Sequence, residues 1–493
     1  MYIREYRVVG TQELSRIEVE EAVYPYLGPG RTADDVEQAR AALEKAYQAK
    51  GYQAASVQIP LQQASRGIVV LQVSEGKVGQ LRVKGSRYFL PSAIKAKARS
   101  IAEGRVVNFN NVTRDIVALN TLPDRQITPA LRAGAEPGTV DIDLTVKDTL
   151  PLHGSVELNN RYSADTSPLR LSGSLNYTNL WQAGHTIGAS YQFSPQDLDE
   201  GSAFSGFYIA RLPNVEWLSL MVQGTKQNNN VSTLGGVAVA GKSESLGARA
   251  IITLPTGQNF FQSLNFGFDY KRYDQDVRIA DTRTLTPITY YPITAAYSAT
   301  WAPKGSTTEL NAGVTFGVRA SQRRSDEFEN NRFDADANFI YLRGDLAHTR
   351  DLPKGFEAYG KVQGQIADQP LVTSEQFSGG GLGTTRGYLE AEVLGDNAVF
   401  GTVELRSPSL LQWLRGNGNE WQVYLFGDAG ALTIHSPLPE QDSGFRLASA
   451  GVGTRMQLLD HLNGSLDIGV PLISQTQTRV HETRVTFRVW ADF

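Results

Sequence analysis

The chain has 493 residues, a formal net charge of −4 at pH 7 and no cysteine. Although 41% of the residues are hydrophobic, no run approaches the roughly 18 apolar residues that a spanning helix needs. Any membrane span would therefore have to be a β-barrel, and the length allows one large barrel with smaller domains. The lack of cysteine excludes disulfides and thiolate metal sites, and the small negative charge does not indicate a nucleic-acid partner.

The N-terminal 150 or so residues predict two copies of the element order β-α-α-β-β. The clearest element is a helix over 32–50, in which apolar residues recur at helical spacing and which Gly51 follows. Because a similar order returns with a similar period, we interpret the region as two modules, 1–76 and 77–149, rather than one mixed α/β domain. The predicted elements are strands at 3–9, 57–59, 68–73, 81–83, 127–131 and 140–146, and helices at 15–26, 32–50, 91–100 and 110–120.

From Pro151 onward the sequence changes to short segments in which apolar and polar residues alternate. In the last segment, Val485, Phe487 and Val489 share one parity with the terminal Phe493, while mainly polar residues occupy the other. Such alternation, repeated in segments of about ten residues, is the signature of a transmembrane β-barrel, here an antiparallel one of about sixteen strands over 150–493. The predicted strands lie near 152–162, 169–178, 185–194, 203–212, 216–225, 244–254, 260–271, 287–300, 307–319, 335–349, 355–366, 396–406, 420–430, 445–458, 461–470 and 483–493.

The connections between these strands also alternate. Those after even-numbered strands are mostly tight and rich in proline or glycine, whereas those after odd-numbered strands, such as 226–242 and 320–334, are mostly longer and polar. Short turns face the periplasm in barrels of this kind, so an even strand count places 1–149 in the periplasm. The tryptophans lie beside the short turns, as an interfacial girdle would; they are Trp181, Trp217, Trp301, Trp413, Trp421 and Trp490.

The longest predicted connection, called the long loop below, runs over 368–394 and contains FSGGG at 377–381 and TRGY at 385–388. A phosphate cradle is disfavoured, because no Gly-Lys-Ser/Thr follows and no helix starts here. A flexible surface loop is the plain alternative, but long loops in compact proteins are often functional. Alternation on the thirteenth predicted strand points Asp428 into the barrel. If the long loop folds inward, Arg386 meets Asp428 there, and we expect this pair to be the loop's main anchor.

This combination resembles the two-partner secretion transporters, the haemolysin-activator and filamentous-haemagglutinin-exporter family of the Omp85 superfamily. The resemblance rests on two α/β modules, a barrel of about sixteen strands and two motifs. The motif residues are Thr385, Arg386, Gly387 and Tyr388 in the long loop, and Phe426, Gly427 and Asp428 on the barrel wall.

The resemblance implies that the modules are POTRA domains, that the long loop lies in the lumen and that Arg386 pairs with Asp428. The family usually has valine where this chain has Thr385. Members commonly begin with a helix that plugs the pore, whereas this sequence begins at a predicted strand with no apolar signal segment. We expect that this helix was removed or is lacking, and that a secretory signal was removed.

The predicted function is export of a large unfolded partner protein across the bacterial outer membrane, with the POTRA domains recognising the cargo in the periplasm. An insertase or assembly factor of the same superfamily is the alternative, and a diffusion porin would leave 1–149 unexplained. Outer-membrane lipid and the barrel-assembly machinery are expected partners, the latter reading Phe487, Val489 and Phe493 as a C-terminal signal. We expect a monomer that needs no cofactor.

Catalysis is not expected. The six histidines are scattered, no two have metal-ligand spacing, and no nucleophile-elbow motif occurs, so an outer-membrane hydrolase is a weak alternative. Several charged residues take inward parity on the predicted strands, where they either solvate a wet interior or contact cargo. They are Glu404, Arg406, Asp467, Arg484 and Arg488.

Overall fold

The structure is a computed structural model, and it describes residues 1–63, 66–164, 166–198, 202–213, 215, 217–228, 242–279, 282–318, 322–411 and 419–493. The chain divides into two compact units. One comprises Met1–Pro151 and Trp181–Gly184, and the other comprises Leu152–Leu180 and His185–Phe493. Within the described ranges, no helix is long and apolar enough to cross a bilayer.

The first half of the N-terminal unit is a three-stranded sheet covered by two helices. Both helices begin at a capping box, with Ser15 and Thr32 as the N-caps, which satisfies backbone amides that would otherwise lack partners. The second helix buries Leu43 and Tyr47 completely in the apolar core. The elements are β1 (Glu5–Val9), α1 (Arg16–Val23), α2 (Ala33–Ala49), β2 (Ser56–Gln58) and β3 (Ile68–Ser74), with sheet order β1-β3-β2.

A buried carboxylate fixes the start of this module. Glu75 accepts hydrogen bonds from the backbone amides of Gln12 and Glu13, at 2.6 and 2.8 Å, and from the hydroxyl of Tyr47 at 2.9 Å. Burial is the main cause that raises the pKa of the Tyr47 phenol above its usual value. The phenol therefore stays protonated and keeps donating to Glu75.

The second half of this unit repeats the order around its own sheet and its own apolar core. Two separate sheets and two separate cores support two modules, and they argue against one mixed α/β domain. The elements are β4 (Lys77–Lys84), α3 (Pro91–Lys97), α4 (Phe109–Leu119), β5 (Arg125–Ala133) and β6 (Thr139–Asp148), with sheet order β4-β6-β5.

The second unit is a closed antiparallel barrel. Seventeen segments form its wall. However, β14 (Thr282–Tyr290) and β15 (Pro292–Trp301) are two halves of one strand that is interrupted at Tyr291, because both pair with β13 (Phe260–Ile279). The predicted barrel of about sixteen strands is therefore confirmed. The barrel segments are β7 (Leu152–Asn159), β8 (Arg170–Leu180), β9 (His185–Phe193), β10 (Ala203–Arg211), β11 (Leu218–Asn228), β12 (Lys242–Thr253), β13 (Phe260–Ile279), β14 (Thr282–Tyr290), β15 (Pro292–Trp301), β16 (Ser306–Gly317), β17 (Ile340–Asp351), β18 (Glu357–Ala367), β21 (Asn397–Arg406), β22 (Glu420–Thr433), β23 (Gly444–Leu458), β24 (Leu462–Pro471) and β25 (Arg484–Asp492).

Two details differ from the sequence-based expectation. Strand β13 continues to Ile279, well past the predicted end at 271. The connection 320–334 contains a helix, α5 (Gln322–Asn331), where no helix was expected. Its sequence has no apolar periodicity; the helix is held by Phe328, which is fully buried against Tyr290 and Phe339. Most of the other long connection, 229–241, lies outside the described residues.

Side chains alternate between the two faces of the wall as expected. On β17, Leu342 is 55% exposed on the outer face, while Tyr341 beside it is buried. Trp217 and Trp301 are also more than half exposed, as girdle residues would be. The assignment of Trp490 to the girdle is wrong, because its ring lies 4.9 Å from the Arg488 guanidinium on the inner face. Trp413 lies outside the described residues.

The barrel closes where its last strand meets its first, and this seam is short. Strand β25 pairs with β7 over Arg488–Asp492, and backbone hydrogen bonds between Phe493 and Gly154 and from Asn160 to Phe487 extend this pairing by one residue at each end. Beyond the ladder, the Asn160 side chain takes the place of a peptide group: its Nδ2 donates to the Val485 carbonyl at 2.8 Å, and its Oδ1 accepts from the Phe487 amide at 2.7 Å. Arg488 adds two hydrogen bonds to Glu157 across the seam, at 2.9 and 2.8 Å.

Candidate functional site

The long loop packs against the inner face of the barrel. Short strands β19 (Phe377–Gly379) and β20 (Val393–Gly395) pair with each other. Phe377, Tyr388 and Val393 join one buried apolar cluster with residues of β21, β22 and β23. The turns between these strands need glycine, because Gly380 and Gly387 have φ values of 103° and 89°. The glycine-rich sequence therefore builds a compact folded loop and not a phosphate cradle.

Arg386 is the centre of the site. Its Nε and Nη2 donate to the two carboxylate oxygens of Asp428 at 2.8 Å each, and its backbone amide donates to the same side chain at 3.0 Å. Its Nη1 donates to Glu404 at 2.6 Å and reaches Asp467 at 3.5 Å. The guanidinium stacks on the Phe426 ring, 3.6 Å from the centroid. The Arg386 side chain is only 5% exposed, so this contact is a shielded network and not a surface ion pair.

Further charges complete the network. Glu404 also accepts from Arg406 at 2.8 Å and faces Arg455 at 3.6 Å. Asp467 accepts from the Tyr424 hydroxyl at 2.7 Å. Three carboxylates therefore face three guanidinium groups, and this balance makes the burial of so many charges tolerable.

The residues that follow Arg386 fix the backbone of the long loop. Gly387 lies against Gly469 of β24 so closely that a Cβ added at Gly469 would fall 2.7 Å from the Gly387 nitrogen. The Tyr388 hydroxyl donates to the carbonyl of Ile473 at 2.6 Å or to that of Ala448 at 3.0 Å. Gly427 faces the outside of the wall with room for a Cβ, and the structure gives no steric reason for glycine there.

Thr385 occupies a position that suits an apolar side chain. It is fully buried, and its hydroxyl has no hydrogen-bond partner among the described residues. A valine has the same shape without the hydroxyl. Thr385 thus carries a buried polar group that contributes no hydrogen bond.

Sequence analysis missed a second ionic anchor of the long loop. Glu375 is 1% exposed and accepts from Lys271 at 2.6 Å, from Tyr290 at 2.5 Å and from Tyr341 at 2.8 Å. These three residues lie on β13, β14 and β17, a different part of the wall from the strands that hold Arg386. Lys271 and Glu375 are 104 positions apart, and no sequence signal pairs them.

Other contacts fasten the remainder of the long loop and its end. Glu390 accepts from Arg161 at 2.7 Å, and Glu392 accepts from the Thr478 hydroxyl. Asp396, just after the loop, accepts from Arg332 at 2.6 Å. The expectation of one main anchor is therefore wrong: the loop is fixed at several points around the wall.

The other predicted site residues lie at the end of the chain. Val489 and Phe493 are exposed on the outer face of β25, at 46% and 63%, and Phe487 is half-buried. The backbone of Phe493 pairs with Gly154 next to the seam. These three residues are far from Arg386 along the chain and do not join its network. In the part of the chain that the structure describes, no group of three or more histidine or carboxylate side chains is placed to hold a metal ion.

Comparison with known proteins gives two family matches. Residues 138–456 match the model of the haemolysin secretion/activation proteins ShlB/FhaC/HecB, and residues 1–76 match the ShlB-type POTRA domain. The haem/hemopexin transporter protein HuxB of Haemophilus influenzae is 23% identical over 394 residues, which cover 76% of this chain and 66% of HuxB. The chain thus spans slightly less than two thirds of this relative. The outer membrane transporter CdiB of Dickeya dadantii is 20% identical over 438 residues, 82% of this chain and 70% of CdiB.

Solved structures share the fold. CdiB from Escherichia coli superposes with a TM-score of 0.67 at 19% identity, covering all of this chain and 90% of CdiB. BamA from Haemophilus ducreyi, lacking its POTRA domains 1–3, gives a TM-score of 0.60 at 14% identity and covers both chains fully. At these identities, both likenesses show a shared fold alone.

Replacing Thr385 by valine is expected to stabilise the barrel. The change removes a buried hydroxyl without a partner, whose burial costs about 1–3 kcal/mol, and it leaves the shape unchanged. The measurement is the temperature at which the folded band disappears in heat-modifiability gels, which should rise. The matched control is Thr384→Val, which should lower it, because the Thr384 hydroxyl bonds both backbone groups of Gly380. Equal losses of stability from the two changes would contradict the assignment.

Deleting 379–390 is expected to open a large, steady channel. A barrel of about sixteen strands is wide enough for an aqueous pore unless its lumen is filled, and the deletion removes Arg386, Tyr388 and Glu390 together. In planar bilayers the intact chain should show low conductance, which several anchors keep steady. Deleting 437–442, an exposed stretch between β22 and β23, is the control and should leave conductance low. A wide, steady pore in the intact chain would show that the long loop is not a plug.

Proposed function

Because the chain belongs to the haemolysin secretion/activation family ShlB/FhaC/HecB, we propose that it exports a partner protein through its barrel. It is an outer-membrane β-barrel with POTRA domains in the periplasm. The observation that carries the proposal is the buried network around Arg386, which fixes a long loop inside the lumen. A pore that only admitted small solutes would need no periplasmic modules.

The cargo we propose is a long unfolded polypeptide, captured by the POTRA domains through strand addition. Both small sheets end in strands with one open edge, since β2 pairs only with β3 and β5 only with β6 among the described strands. An extended peptide can add to such an edge through backbone hydrogen bonds, without needing a particular sequence. On β5, Leu131 and Arg132 are exposed beside the edge, and Arg132 forms an ion pair with Asp143 of β6.

Passage through the outer membrane has no nucleotide energy source in the periplasm, so we propose that folding of the cargo outside gives direction. The relatives named as haem/hemopexin transporter and CdiB are transporters, and this supports transport and not catalysis here. The partner of this chain is expected to be a large secreted protein encoded beside it. An insertase role is less well supported, because the likeness to BamA is one of fold.

The same proposal includes the lipid around the barrel, the machinery that inserts it and its oligomeric state. Its apolar outer face contacts outer-membrane lipid, and the barrel-assembly machinery inserts it by reading Phe487, Val489 and Phe493 on the last strand. The chain acts as a monomer and uses no cofactor.

Arg386→Ala is expected to abolish secretion or reduce it sharply while the barrel still inserts. Removing one partner of a buried charge network costs about 3–5 kcal/mol, because Asp428, Glu404 and Asp467 are left without their shared cation. Partner protein in the medium measures export, and heat-modifiability of the membrane fraction measures assembly. The control is Arg350→Ala, at an exposed arginine of β17, which should secrete normally. Near-normal export from Arg386→Ala would show that the Arg386 network is not needed for secretion.

A chain that begins at Thr149 is expected to form a heat-modifiable barrel and to export nothing. The barrel wall starts at Leu152 and has its own ladder, so it does not depend on the modules for its strands. Export and assembly are measured as for Arg386→Ala. If the shortened chain exports at the normal rate, the modules do not recognise cargo.

A further inference from the structure

A groove of about 400 Å³ lies on the outer face of the barrel, across strands β21 to β24. Its volume falls within the range of about 300–1,000 Å³ that is usual for ligand-binding pockets. The strand register shows that two neighbouring rows of outward side chains line it. One row is Leu405, Leu425, Val452 and Ile468, and the other is Ser407, Val423, Thr454 and Leu466.

The lining of this groove offers a ligand mainly hydrocarbon contacts. Its two hydroxyl groups are already bonded within the protein: Ser407 donates to the Pro408 carbonyl at 2.9 Å, and Thr454 donates to the Gln422 carbonyl at 2.9 Å. The Thr454 hydroxyl also accepts from the Trp421 indole at 2.7 Å. A flexible apolar chain therefore fits the groove, whereas an extended peptide would leave its own polar groups there without hydrogen bonds.

One end of the groove lies at the periplasmic membrane–water boundary. Trp421 is at this end, and tryptophan side chains favour that boundary in membrane proteins. The short turn between β17 and β18 completes it: Phe356 lines the groove, and a Cβ added at Gly355 would lie 3.1 Å from the Cβ of Pro408. Lys354 of the same turn is exposed, and within the described ranges its ammonium group has no ion-pair or hydrogen-bond partner. A cation therefore lies beside the mouth of an apolar groove.

The opposite end of the groove is not closed by large side chains. On this face of β22 and β23, the pair that follows Leu425 and Val452 is Gly427 and Ala450. The nearest atom to a Cβ added at Gly427 would be Cγ2 of Val403, at 3.7 Å. The glycine therefore leaves open space on the outer face, and an acyl chain longer than the groove can continue over this small pair toward the middle of the bilayer.

We propose that this groove binds one phospholipid of the periplasmic leaflet, with an acyl chain along Leu425 and Val452 and the phosphate beside Lys354. A phospholipid combines the two properties that the groove requires, an apolar chain and an anionic group at the membrane boundary. The groove is also continuous with the apolar outer face of the barrel, which faces lipid in proteins of this class. The ligand therefore comes from the membrane that already surrounds the barrel.

The bound lipid lies directly behind the Arg386 network. Side chains alternate between the faces of a strand, so Leu405 is the outward neighbour of Glu404, and Ile468 is the outward neighbour of Asp467. The acyl chain thus packs on the outer side of the same strand segments that hold Arg386 inside the barrel. Because the groove exists only in the assembled wall, lipid binding stabilises the folded barrel by mass action.

Native mass spectrometry measures the binding, on the full chain stripped of lipid in detergent and then supplied with phosphatidylglycerol. Leu425→Trp fills the groove and should weaken binding about tenfold. Lys354→Glu should weaken it about fivefold, whereas Lys354→Arg keeps the cation and should bind normally. The matched control is Val362→Trp, which adds similar bulk at an outer-face position of β18 that is 56% exposed and outside the groove; it should bind normally.

The temperature at which the folded band disappears in heat-modifiability gels gives a second readout. Phosphatidylglycerol should raise it for the unaltered chain and for Val362→Trp, but not for Leu425→Trp. If Leu425→Trp does not assemble, Val423→Trp tests the same groove from the other row. Unchanged binding in the groove variant, or an equal loss in Val362→Trp, would overturn the site. Retention of lipopolysaccharide without retention of phosphatidylglycerol would overturn the choice of ligand.

Discussion

One buried arginine organises the interior of this barrel. A guanidinium group removed from water must have its donors and charge satisfied, and Arg386 satisfies them with carboxylates from β21, β22 and β24 together with the face of Phe426. Because the three carboxylates come from different strands, the arginine can sit there only when the wall is correctly assembled. In return, Arg386 joins Arg406 and Arg455 in offsetting the repulsion among the carboxylates. Loop and wall thus specify each other's position.

The second ionic centre at Glu375 changes how the long loop should be understood. Phenol hydroxyls and an ammonium group hold it from β13, β14 and β17, and Glu390 ties the other limb to Arg161 after β7. Because these anchors lie on different parts of the wall, the long loop is fixed along the inner face of the barrel and is not a plug attached at one point.

The fold followed from the sequence to the extent that local rules determine it. Alternating residues located the barrel strands, and helical spacing located α2. Parity alone pointed Asp428 inward. The same parity placed Glu404 and Asp467 in the lumen but assigned them only solvation or cargo contact, because parity gives a direction and not a partner.

The sequence could not predict features that depend on contacts between residues far apart in the chain. Helix α5 exists because Phe328 packs against Tyr290 at the end of β14 and Phe339 just before β17, so its own polar sequence gave no signal. The Lys271–Glu375 contact joins segments that meet only after the barrel has curved round. The assignment of Trp490 to the girdle failed for a local reason. It relied on closeness to a turn, but strand parity points this residue inward.

The short seam between β25 and β7 bears on how this chain is made. The side chain of Asn160 hydrogen-bonds to the backbone of Val485 and Phe487, which lie 325 and 327 positions further along the chain. Contacts of such sequence separation carry a large loop-closure entropy and form late. Until the final strand has left the ribosome and crossed the inner membrane, β7 remains an unpaired sheet edge, the kind of surface that templates aggregation. The barrel can therefore close only when the whole chain is present. A chain truncated before β25 would remain an open sheet and would be a substrate for proteolysis.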